Sequence, residues 1–444
     1  MKYNTKYASE IRSRNNLEKN VNILVWPSFS VVGIEIAEQL RFMKGIKLYG
    51  AADIIDHPLS EIYSEVIEVP KLNGEERKLD LDLLKQFVIF PAHDYVLDYL
   101  AIHSFDLSWI GSSSETISLT RNKARVYEKI RETKLSNYCP KIYSIEEIAN
   151  IEFPVYIKPN LGFGSQGHLI VQSLAEFSVM QQKLENSVLM EVLQGDEFTI
   201  DCFTDRLGIL IYSLARKRSR IRMGTSLSFA SPDNFLTNEF SYLANLINQE
   251  FKLNGPWYFQ VKAKFEDSNE FKILEISTRL AGSSVWARAK GVNLAEIAVW
   301  NYRNIDVRAI ENSNSIILER DLSTKLTLNL IFNHIYIDLD DTILIEGQVN
   351  HWAIAFIIQE SNKGKKIHLL TKSLEEDLLN LLIKTGLNNF FTTVTHLKIT
   401  EEKSDFVKNL DCIFIDDSFS ERSRMKEKHQ IACFGTEIFQ LLVK

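Results

Sequence analysis

Two aspartates and a threonine follow a short apolar stretch in HIYIDLDDTILIEG, residues 334–347. The apolar residues predict a buried strand, so that Asp338, Asp340 and Thr342 lie where this strand ends. A carboxylate at such a position can act as a nucleophile, transfer a proton or bind a hard cation. The motif begins late in the chain, which raises the question of what the long segment before it does.

A glycine-rich stretch, FPVYIKPNLGFGSQGHLIV at residues 153–171, suggests phosphate binding. Lys158 ends a predicted strand, a loop with Gly162, Gly164, Ser165 and Gly167 follows, and a second β-rich run closes a hairpin. Such a tip exposes backbone N–H groups with little side-chain bulk, which suits phosphate oxygens above the Lys158 charge. Taken alone, the loop is equally typical of a mobile hairpin.

A second predicted hairpin, GPWYFQVKAKFEDSNEFKILEISTRLAGSS at residues 255–284, carries oxygen-bearing side chains on both strands. Gln260 and Glu275 on neighbouring strands can hold Mg²⁺ against nucleotide phosphates. Arg279, shortly after the second strand, can neutralise a transferring phosphoryl group.

The elements before these motifs alternate between strand and helix patterns. NILVW and IKLYGAAD predict strands around the helical VVGIEIAEQLRFMKG, and FVIFPAHD predicts a further strand. WPSFSVVG stands where a dinucleotide-binding protein carries GxGxxG, and it retains only Gly33. The chain therefore opens with a Rossmann-like, doubly wound domain that lacks a nucleotide fingerprint.

The composition is that of a globular protein of about two to four domains, with 444 residues, 45% hydrophobic and 25% charged. A net charge of -7 argues against nucleic acid or an anionic membrane as the main partner. The four cysteines form no CxxC pair, which indicates reduced thiols. The polar N-terminus and the absence of a long apolar run predict a cytoplasmic protein without a membrane span.

In this order, the motifs over roughly residues 20–305 resemble the ATP-grasp superfamily, closest to its carbamoyl-phosphate-synthase-like and D-alanine-D-alanine-ligase-like members. The resemblance implies that Lys123 and Lys158 bind ATP, with Gly162, Gly164, Ser165 and Gly167 as the phosphate lid. It further implies an adenine hinge beginning at Glu191 and Val192, Glu197 on the ribose, and metal ligands at Gln260, Glu275 and Ser277. Ser277 in EISTR replaces the family's asparagine, and Asn122 replaces an aspartate before the first lysine.

Four arginines recur at every second position in ARKRSRIRMG, namely Arg216, Arg218, Arg220 and Arg222. A strand would place them on one face. This face is either solvated or binds anions, with Arg220 and Arg222 assigned to the ATP triphosphate and the others to an anionic substrate.

Residues 331–444 resemble the haloacid dehalogenase (HAD) superfamily, whose four motifs occur in order. They are Asp338 with Asp340, Thr371 in KIHLLTKS, Lys403 in ITEEKSDF, and Asp416 with Asp417 in CIFIDDSFSER. The resemblance implies that Asp338 attacks phosphorus, Asp340 transfers protons, and Thr371 and Lys403 neutralise phosphoryl oxygens. Mg²⁺ would be held by Asp338, the Asp340 main-chain carbonyl and Asp416 or Asp417.

The spacing of these motifs predicts an open site. Thr342 and Thr371 are 29 residues apart, and Thr371 and Lys403 are 32 apart, which leaves no room for a folded cap.

The predicted fold class is α/β, with a Rossmann-like pre-ATP-grasp domain (1–115), an ATP-grasp α+β domain (116–305), a linker (306–330) and a capless HAD-like Rossmannoid domain (331–444). The predicted protein is a bifunctional enzyme that uses ATP and Mg²⁺. Its ligase half would join a carboxylate to an amine through an acyl phosphate, and its phosphatase half would remove a phosphate ester from a substrate or product.

By analogy alone, this fusion suits the tailoring of surface polysaccharides or natural products. Its partners would be small-molecule carboxylates and amines, one of which could be phosphorylated, and a homodimer is left open. Two alternatives stay open as well. In one, the phosphatase destroys a by-product of the ligase, and in the other the chain is a nucleotide-sensing regulator with a weakened ATP-grasp site.

Overall fold

The computed structural model describes residues 20–55, 57, 59–70, 80–103, 106–162, 166–180, 186–222, 225–312, 317–319, 330–374 and 377–443. The chain forms two compact units, Met1–Asp321 and Leu322–Lys444, here called the N-terminal and C-terminal units. Within the described residues, no helix combines the length and the apolar character needed to cross a membrane. The four cysteines are free thiols.

The N-terminal unit begins with a parallel five-stranded sheet of order β3-β2-β1-β4-β5. Its central strand β1 is buried from Ile23 to Trp26, as expected for a parallel strand covered on both faces. The elements are β1 (Val21–Trp26), α1 (Val31–Leu40), β2 (Ile46–Ala52), β3 (Glu65–Glu68), α2 (Leu81–Leu84), β4 (Val88–Pro91), α3 (Asp94–Ile102), β5 (Ser108–Trp109) and α4 (Ser114–Arg121). This is the doubly wound arrangement that the alternating pattern predicted.

A four-stranded antiparallel sheet of order β6-β9-β7-β8 follows helix α5. Its small core consists of Val155, Ile157, Val171, Phe177 and Leu189. The elements are α5 (Lys123–Arg131), β6 (Ile142–Tyr143), β7 (Val155–Pro159), β8 (Leu169–Val171), α6 (Leu174–Met180) and β9 (Ser187–Glu191). Strands β7 and β8 form the predicted glycine-loop hairpin.

The third sheet of this unit has six antiparallel strands in the order β14-β13-β10-β11-β12-β15. One face packs on helix α7 through a core that includes Phe240, Phe259 and Phe271. The elements are β10 (Glu197–Thr204), β11 (Leu210–Arg222), β12 (Thr225–Ala230), α7 (Asn234–Phe251), β13 (Gly255–Ala263), β14 (Phe271–Ser277), α8 (Val285–Ala289), α9 (Leu294–Tyr302) and β15 (Ile317–Glu319).

One hydrophobic core joins the first sheet to the six-stranded sheet. Val25 and Phe90 of the first sheet belong to the same cluster of buried residues as Phe203, Leu214 and Trp286. The regions predicted as separate domains at 1–115 and 116–305 therefore share buried side chains inside a single compact unit.

The C-terminal unit contains a parallel five-stranded sheet of order β20-β19-β16-β21-β22 and a short hairpin, β17–β18. The elements are β16 (His334–Ile337), β17 (Leu344–Ile345), β18 (Gln348–Val349), α10 (His351–Asn362), β19 (Lys366–Thr371), α11 (Leu378–Lys384), β20 (Thr393–His396), β21 (Cys412–Ile415), α12 (Phe419–His429), β22 (Ala432–Phe434) and α13 (Ile438–Leu442). In the described residues, the hairpin and α10 occupy the interval before Thr371, and α11 and β20 occupy the one before Lys403.

Candidate active sites

A row of polar side chains crosses four strands of the six-stranded sheet. Glu275 on β14 is paired in register with Gln260 on β13, Gln260 with Thr199 on β10, and Thr199 with Arg216 on β11. Because residues paired in an antiparallel sheet point to the same face, the four side chains line one surface. The two predicted metal ligands Gln260 and Glu275 are thus direct neighbours.

The Gln260 amide lies between an acid and a base. One end is 3.2 Å from Glu275 Oε1, and the other is 3.3 Å from Thr199 Oγ1 and 3.0 Å from Arg218 Nη1. Tyr258 donates to Glu275 Oε1 at 3.2 Å. In the orientation that satisfies both ends, the amide nitrogen donates to Glu275, and the amide oxygen accepts from Thr199 and Arg218. Rotating the amide by half a turn would place its oxygen beside the Glu275 carboxylate, and two neighbouring oxygen ligands suit Mg²⁺.

Ser277 is paired with Tyr258 rather than with Gln260, so it lies one step further along the same face. It is buried. Its hydroxyl has a shorter reach than the asparagine amide that the ATP-grasp pattern carries there.

The arginine row is more constrained than its spacing suggested. Arg216 is fully buried in an ion pair with Asp201, and it also donates to Ser283 Oγ at 2.6 Å. Arg218 pairs with Glu197. The alternative of a solvated face is therefore wrong for these two arginines, and Glu197, expected at the ribose, is held by a guanidinium.

The register of β11 is irregular between Arg218 and Arg220 and again between Arg220 and Ile221. A bulge shifts which face each residue presents, so strict alternation does not extend to the last arginines. Arg220 and Arg222 lie in the strand, and their side chains fall outside the described part of the structure.

Lys158, at the end of β7, is buried beneath this face. Its ammonium group donates to Tyr127 Oη at 2.6 Å and to the Leu274 carbonyl at 2.7 Å. Burial, together with the nearby Lys123 charge, lowers the pKa of Lys158 to about 7. Burial also lowers the pKa of Lys123, at the start of α5. Two buried lysines that lie close together favour the binding of an anion, because a nearby negative charge raises their pKa values and restores their positive charge.

The glycine loop is anchored at its first residue, because Lys123 Nζ donates to the Gly162 carbonyl at 3.3 Å. Gly167 has a φ of +73°, a conformation that favours glycine, and a Cβ there would lie 2.9 Å from Pro159. Gly164 and Ser165, predicted members of the lid, lie outside the described residues.

The predicted adenine hinge follows strand β9. Glu191 ends this strand, and its carboxylate accepts from the backbone N–H of Lys141 at 2.8 Å. Val192 follows it and is half-buried. The Glu191 side chain and its backbone N–H thus both bind Lys141 and stabilise the neighbouring chain segment.

Sequence reasoning missed an ion-pair network at the edge of the first sheet. Asp94 begins α3, and its carboxylate lies 2.7 Å from Arg279 Nη2 and 3.3 Å from Arg121 Nη1. Arg121 also binds Asp98 in a bidentate pair, with both distances 2.8 Å. Burial alone would raise the pKa of Asp94, but the two guanidinium groups lower it.

These arginines line a cleft in the N-terminal unit, together with Lys123 and Glu275. Arg279, predicted to neutralise a phosphoryl group, thus borders the cleft while held by an acid from the first sheet. The only sequence signal for Asp94 was its position at a predicted strand end in FPAHD.

The C-terminal unit gathers three of its four predicted motifs at one edge of the parallel sheet. Lys403 Nζ lies 2.7 Å from Asp338 Oδ1 and 2.6 Å from Asp416 Oδ2. Carboxylate oxygens of Asp338, Asp416 and Asp417 all lie within 4.8 Å of one another. Three carboxylates around one lysine leave an excess of negative charge, so the donor set fits a divalent cation.

Burial shapes the charges of this cluster. It raises the pKa of Asp338 to about 7, against the opposing effect of Lys403, and it also raises that of Asp416. Burial alone would lower the pKa of Lys403, but the two carboxylates raise it. The lysine therefore remains charged between the two acids.

The remaining predicted residues surround this centre. Asp340 is exposed, as a residue that exchanges protons with water would be. Thr371 is buried at the end of β19, and its hydroxyl accepts from the Ser373 N–H at 3.1 Å. Arg422, which was not predicted, donates to the carbonyls of Asp416 and Asp417, each at 2.6 Å, and fixes the loop that carries them.

Comparison with known proteins identifies the fold of the N-terminal unit. Residues 183–324 match a family described as ATP-grasp in the biosynthetic pathway with Ter operon. Solved structures of ADP-bound and ligase enzymes match about two thirds of this chain in fold. The N-terminal unit has the ATP-grasp fold.

Three structures illustrate the likeness of the ATP-grasp fold. N5-carboxyaminoimidazole synthetase from Staphylococcus aureus, complexed with ADP, is 13% identical with a TM-score of 0.58, over 69% of this chain and 84% of that one. The biotin carboxylase domain dimer of Hydrogenobacter thermophilus 2-oxoglutarate carboxylase, with MgADP, ADP and bicarbonate, is 15% identical with a TM-score of 0.56, over 68% and 74%. L-amino acid ligase from Bacillus licheniformis is 16% identical with a TM-score of 0.51, over 64% and 75%.

At these identities the comparison establishes the ATP-grasp fold and leaves the substrates open. A search of curated proteins finds no match.

Proposed function

We propose that the chain is a bifunctional enzyme, an ATP-dependent carboxylate–amine ligase followed by a Mg²⁺-dependent phosphatase. The observation that carries the ligase proposal is the polar row from Glu275 to Arg216, which faces two desolvated lysines within an ATP-grasp fold. Neighbours of this fold that are described with ADP, with MgADP or as an amino acid ligase support ATP, Mg²⁺ and small-molecule substrates for this chain.

In the proposed ligase reaction, a substrate carboxylate oxygen attacks the γ-phosphorus of ATP. The bond to ADP breaks, and an acyl phosphate forms. An amine then attacks the acyl carbon, inorganic phosphate leaves, and the amine nitrogen loses a proton, so that an amide results. Mg²⁺, when bound by Gln260 and Glu275, would neutralise phosphate charge. Lys158 and Lys123 would bind phosphate oxygens, and Arg279 would face the transferred group from the cleft.

The phosphatase proposal is carried by the position of Lys403 between Asp338 and Asp416. Such a lysine keeps a nucleophilic carboxylate and a metal-binding carboxylate together and can also meet a phosphoryl oxygen. The order of the parallel strands and the four motifs support a HAD-like domain over residues 331–444.

In the proposed phosphatase reaction, an Asp338 oxygen attacks phosphorus, and the bond to the ester oxygen breaks. Asp340 gives its proton to the leaving alcohol. Asp340 then takes a proton from water, which attacks the aspartyl phosphate and releases inorganic phosphate. Mg²⁺, when bound by Asp338, Asp416 and Asp417, would screen the two anions that must approach each other.

The two activities suit one biosynthetic sequence, in which the phosphatase acts on a substrate or product of the ligase. The description of the matched family, which places it in a biosynthetic pathway, supports this reading. A dimer, the state described for one neighbour, is a further proposal for this chain.

Separating the activities tests the proposal. Asp338→Asn should lower phosphate ester hydrolysis by at least about 10³-fold and leave ATP-dependent ligation intact, while Lys158→Met should do the reverse. Ligation is measured as ADP release and new amide masses with pooled acids and amines. Loss of both activities in either folded variant would contradict the two-site proposal, and ATP binding without turnover would favour a nucleotide sensor.

A further inference from the structure

Exposed apolar side chains lie beyond the carboxyl ends of the parallel strands in the C-terminal unit. The loops that follow β16, β19, β20 and β21 each contribute one, and these are Ile345, Leu374, Ile399 and Phe419, with exposures of 42%, 80%, 69% and 77%. Since the strands are parallel and adjacent, all four loops leave the same edge, the one where Asp338 and Asp416 lie.

Phe419 is held close to the cluster of acids. It begins α12, two residues after Asp417, and the Arg422 guanidinium lies 5.9 Å from the centre of its ring. Arg422 is itself fixed by its hydrogen bonds to the Asp416 and Asp417 carbonyls. The ring is therefore exposed to solvent and yet positioned by the same loop that carries two of the candidate metal ligands.

Three basic side chains near the acid cluster already have partners, whereas Lys398, in the loop after β20, is exposed. Lys372, next to Thr371, forms an ion pair with Glu421 at 2.7 Å, and Arg424 lies 3.4 Å from Glu402. Lys403 is shared by Asp338 and Asp416. A second anionic group on the substrate placed near these three cations would have to compete with the acids, whereas an apolar group would meet exposed apolar surface.

Geometry defines which part of a substrate meets this surface. The nucleophile attacks phosphorus from the side of Asp338, so the leaving alcohol must project away from Asp338, out of the sheet edge. Within the described residues of the C-terminal unit, no folded cap occupies these intervals, so the exposed side chains at this edge are the ones that this unit offers to the alcohol.

We infer that the phosphatase half selects phosphate monoesters whose organic group is apolar and ring-bearing, with Phe419 as its main contact. This inference rests on the proposed phosphatase activity. Burial of an aromatic ring against a phenylalanine and neighbouring aliphatic residues would supply the selectivity that a cap provides elsewhere.

Benzyl phosphate, ethyl phosphate and glycerol 3-phosphate test the inference on the full chain with Mg²⁺. All three esters release a primary alcohol, so differences in leaving-group chemistry are small. We expect kcat/KM for benzyl phosphate to exceed that for ethyl phosphate by about tenfold, and glycerol 3-phosphate to be no better than ethyl phosphate.

Phe419→Ala should reduce the benzyl-to-ethyl ratio from about ten to about one, and Phe419→Leu should retain an intermediate ratio. Leu410→Ala is the matched control, since Leu410 is 59% exposed but precedes β21, at the opposite edge of the sheet. Its ratio should remain that of the wild type.

Equal rates on benzyl and ethyl phosphate, a preference for glycerol 3-phosphate, or an unchanged ratio in Phe419→Ala would overturn the inference and leave the phosphatase proposal standing. Absence of any hydrolysis above that of Asp338→Asn would overturn both.

Discussion

The polar face of the ATP-grasp sheet and the acid cluster of the C-terminal unit handle charge in opposite ways. In the first, Arg216 pairs with Asp201 and Arg218 with Glu197, and in the adjoining cleft Arg279 pairs with Asp94 and Arg121 with Asp98. In the second, Asp338 and Asp416 share Lys403, and a carboxylate oxygen of Asp417 lies within 4.8 Å of theirs. The first region is close to neutral before any ligand arrives, whereas the second lacks positive charge.

This difference in charge predicts how each region binds an ion from solution. A triphosphate entering the ATP-grasp cleft must replace protein carboxylates as partner of a guanidinium, so binding there is an exchange of ion pairs. The acid cluster instead needs an added cation. Three predictions, each with its control variant, test this comparison.

The largest effect is expected where a buried pair is broken in the first region. Arg216→Met leaves Asp201 buried without its cation and should lower the free energy of unfolding by about 3–5 kcal/mol. Lys217→Met, one residue further along, removes the exposed partner of Asp196 and should cost at most about 1 kcal/mol.

Denaturant unfolding monitored by fluorescence measures both variants. If Asp201→Leu combined with Arg216→Met restores much of the loss, the cost came from the unpaired acid. Equal costs for Arg216→Met and Lys217→Met would contradict the comparison.

A smaller, metal-dependent effect is expected in the second region. Lys403→Met removes the cation that lies between Asp338 and Asp416, and without metal it should lower the free energy of unfolding by about 2 kcal/mol. Added Mg²⁺ should raise the melting temperature of this variant more than that of the wild type, because the ion replaces the lost charge.

Arg216→Met provides the control, since Mg²⁺ should not rescue a pair buried in the ATP-grasp sheet. Melting curves with Mg²⁺ and with a chelator distinguish the cases. An equal Mg²⁺ response in wild type and Lys403→Met would show that the metal does not occupy this cluster.

The smallest expected effect is the uptake of less than one proton when ATP binds. With its pKa near 7, Lys158 is largely neutral at about pH 8, and phosphate oxygens would raise that pKa again. ATP binding should therefore take up protons above pH 7 and weaken as the pH rises through this range.

Calorimetry of ATP binding in buffers of different ionisation enthalpy measures the uptake. Lys158→Arg, which stays charged throughout, should abolish it. Uptake that persists in Lys158→Arg would assign the proton to another group.

Sequence reasoning worked best where the placement of a residue follows from local pattern. Asp338 and Asp416 come directly after strands β16 and β21, Thr371 ends β19, and parallel strands bring such positions to one edge of the sheet. The pairing of Gln260 with Glu275 was likewise predictable from a single hairpin.

Ion pairs between residues far apart in the chain could not be predicted from the sequence. Asp94 and Arg279 are 185 residues apart, and no periodicity shows which acid meets which arginine. The irregular register after Arg218 was equally hidden, because a bulge adds a residue without changing the residue pattern. The shared core of the first two predicted domains depends on packing between elements that the chain visits far apart.

That shared core has a consequence for how ATP enters. Because Val25 and Trp286 belong to one cluster, the first sheet and the six-stranded sheet cannot swing apart without exposing buried apolar surface. The four-stranded sheet has a small core of its own, with Val155 and Phe177 among its members, and it shares only Val188, among its buried described residues, with the core of the six-stranded sheet. It also carries Lys158 and the start of the predicted hinge. We therefore expect the ATP-grasp unit to open mainly by a rotation of this four-stranded sheet, with the pivot where β9 leads into β10, while the other two sheets stay fixed to each other.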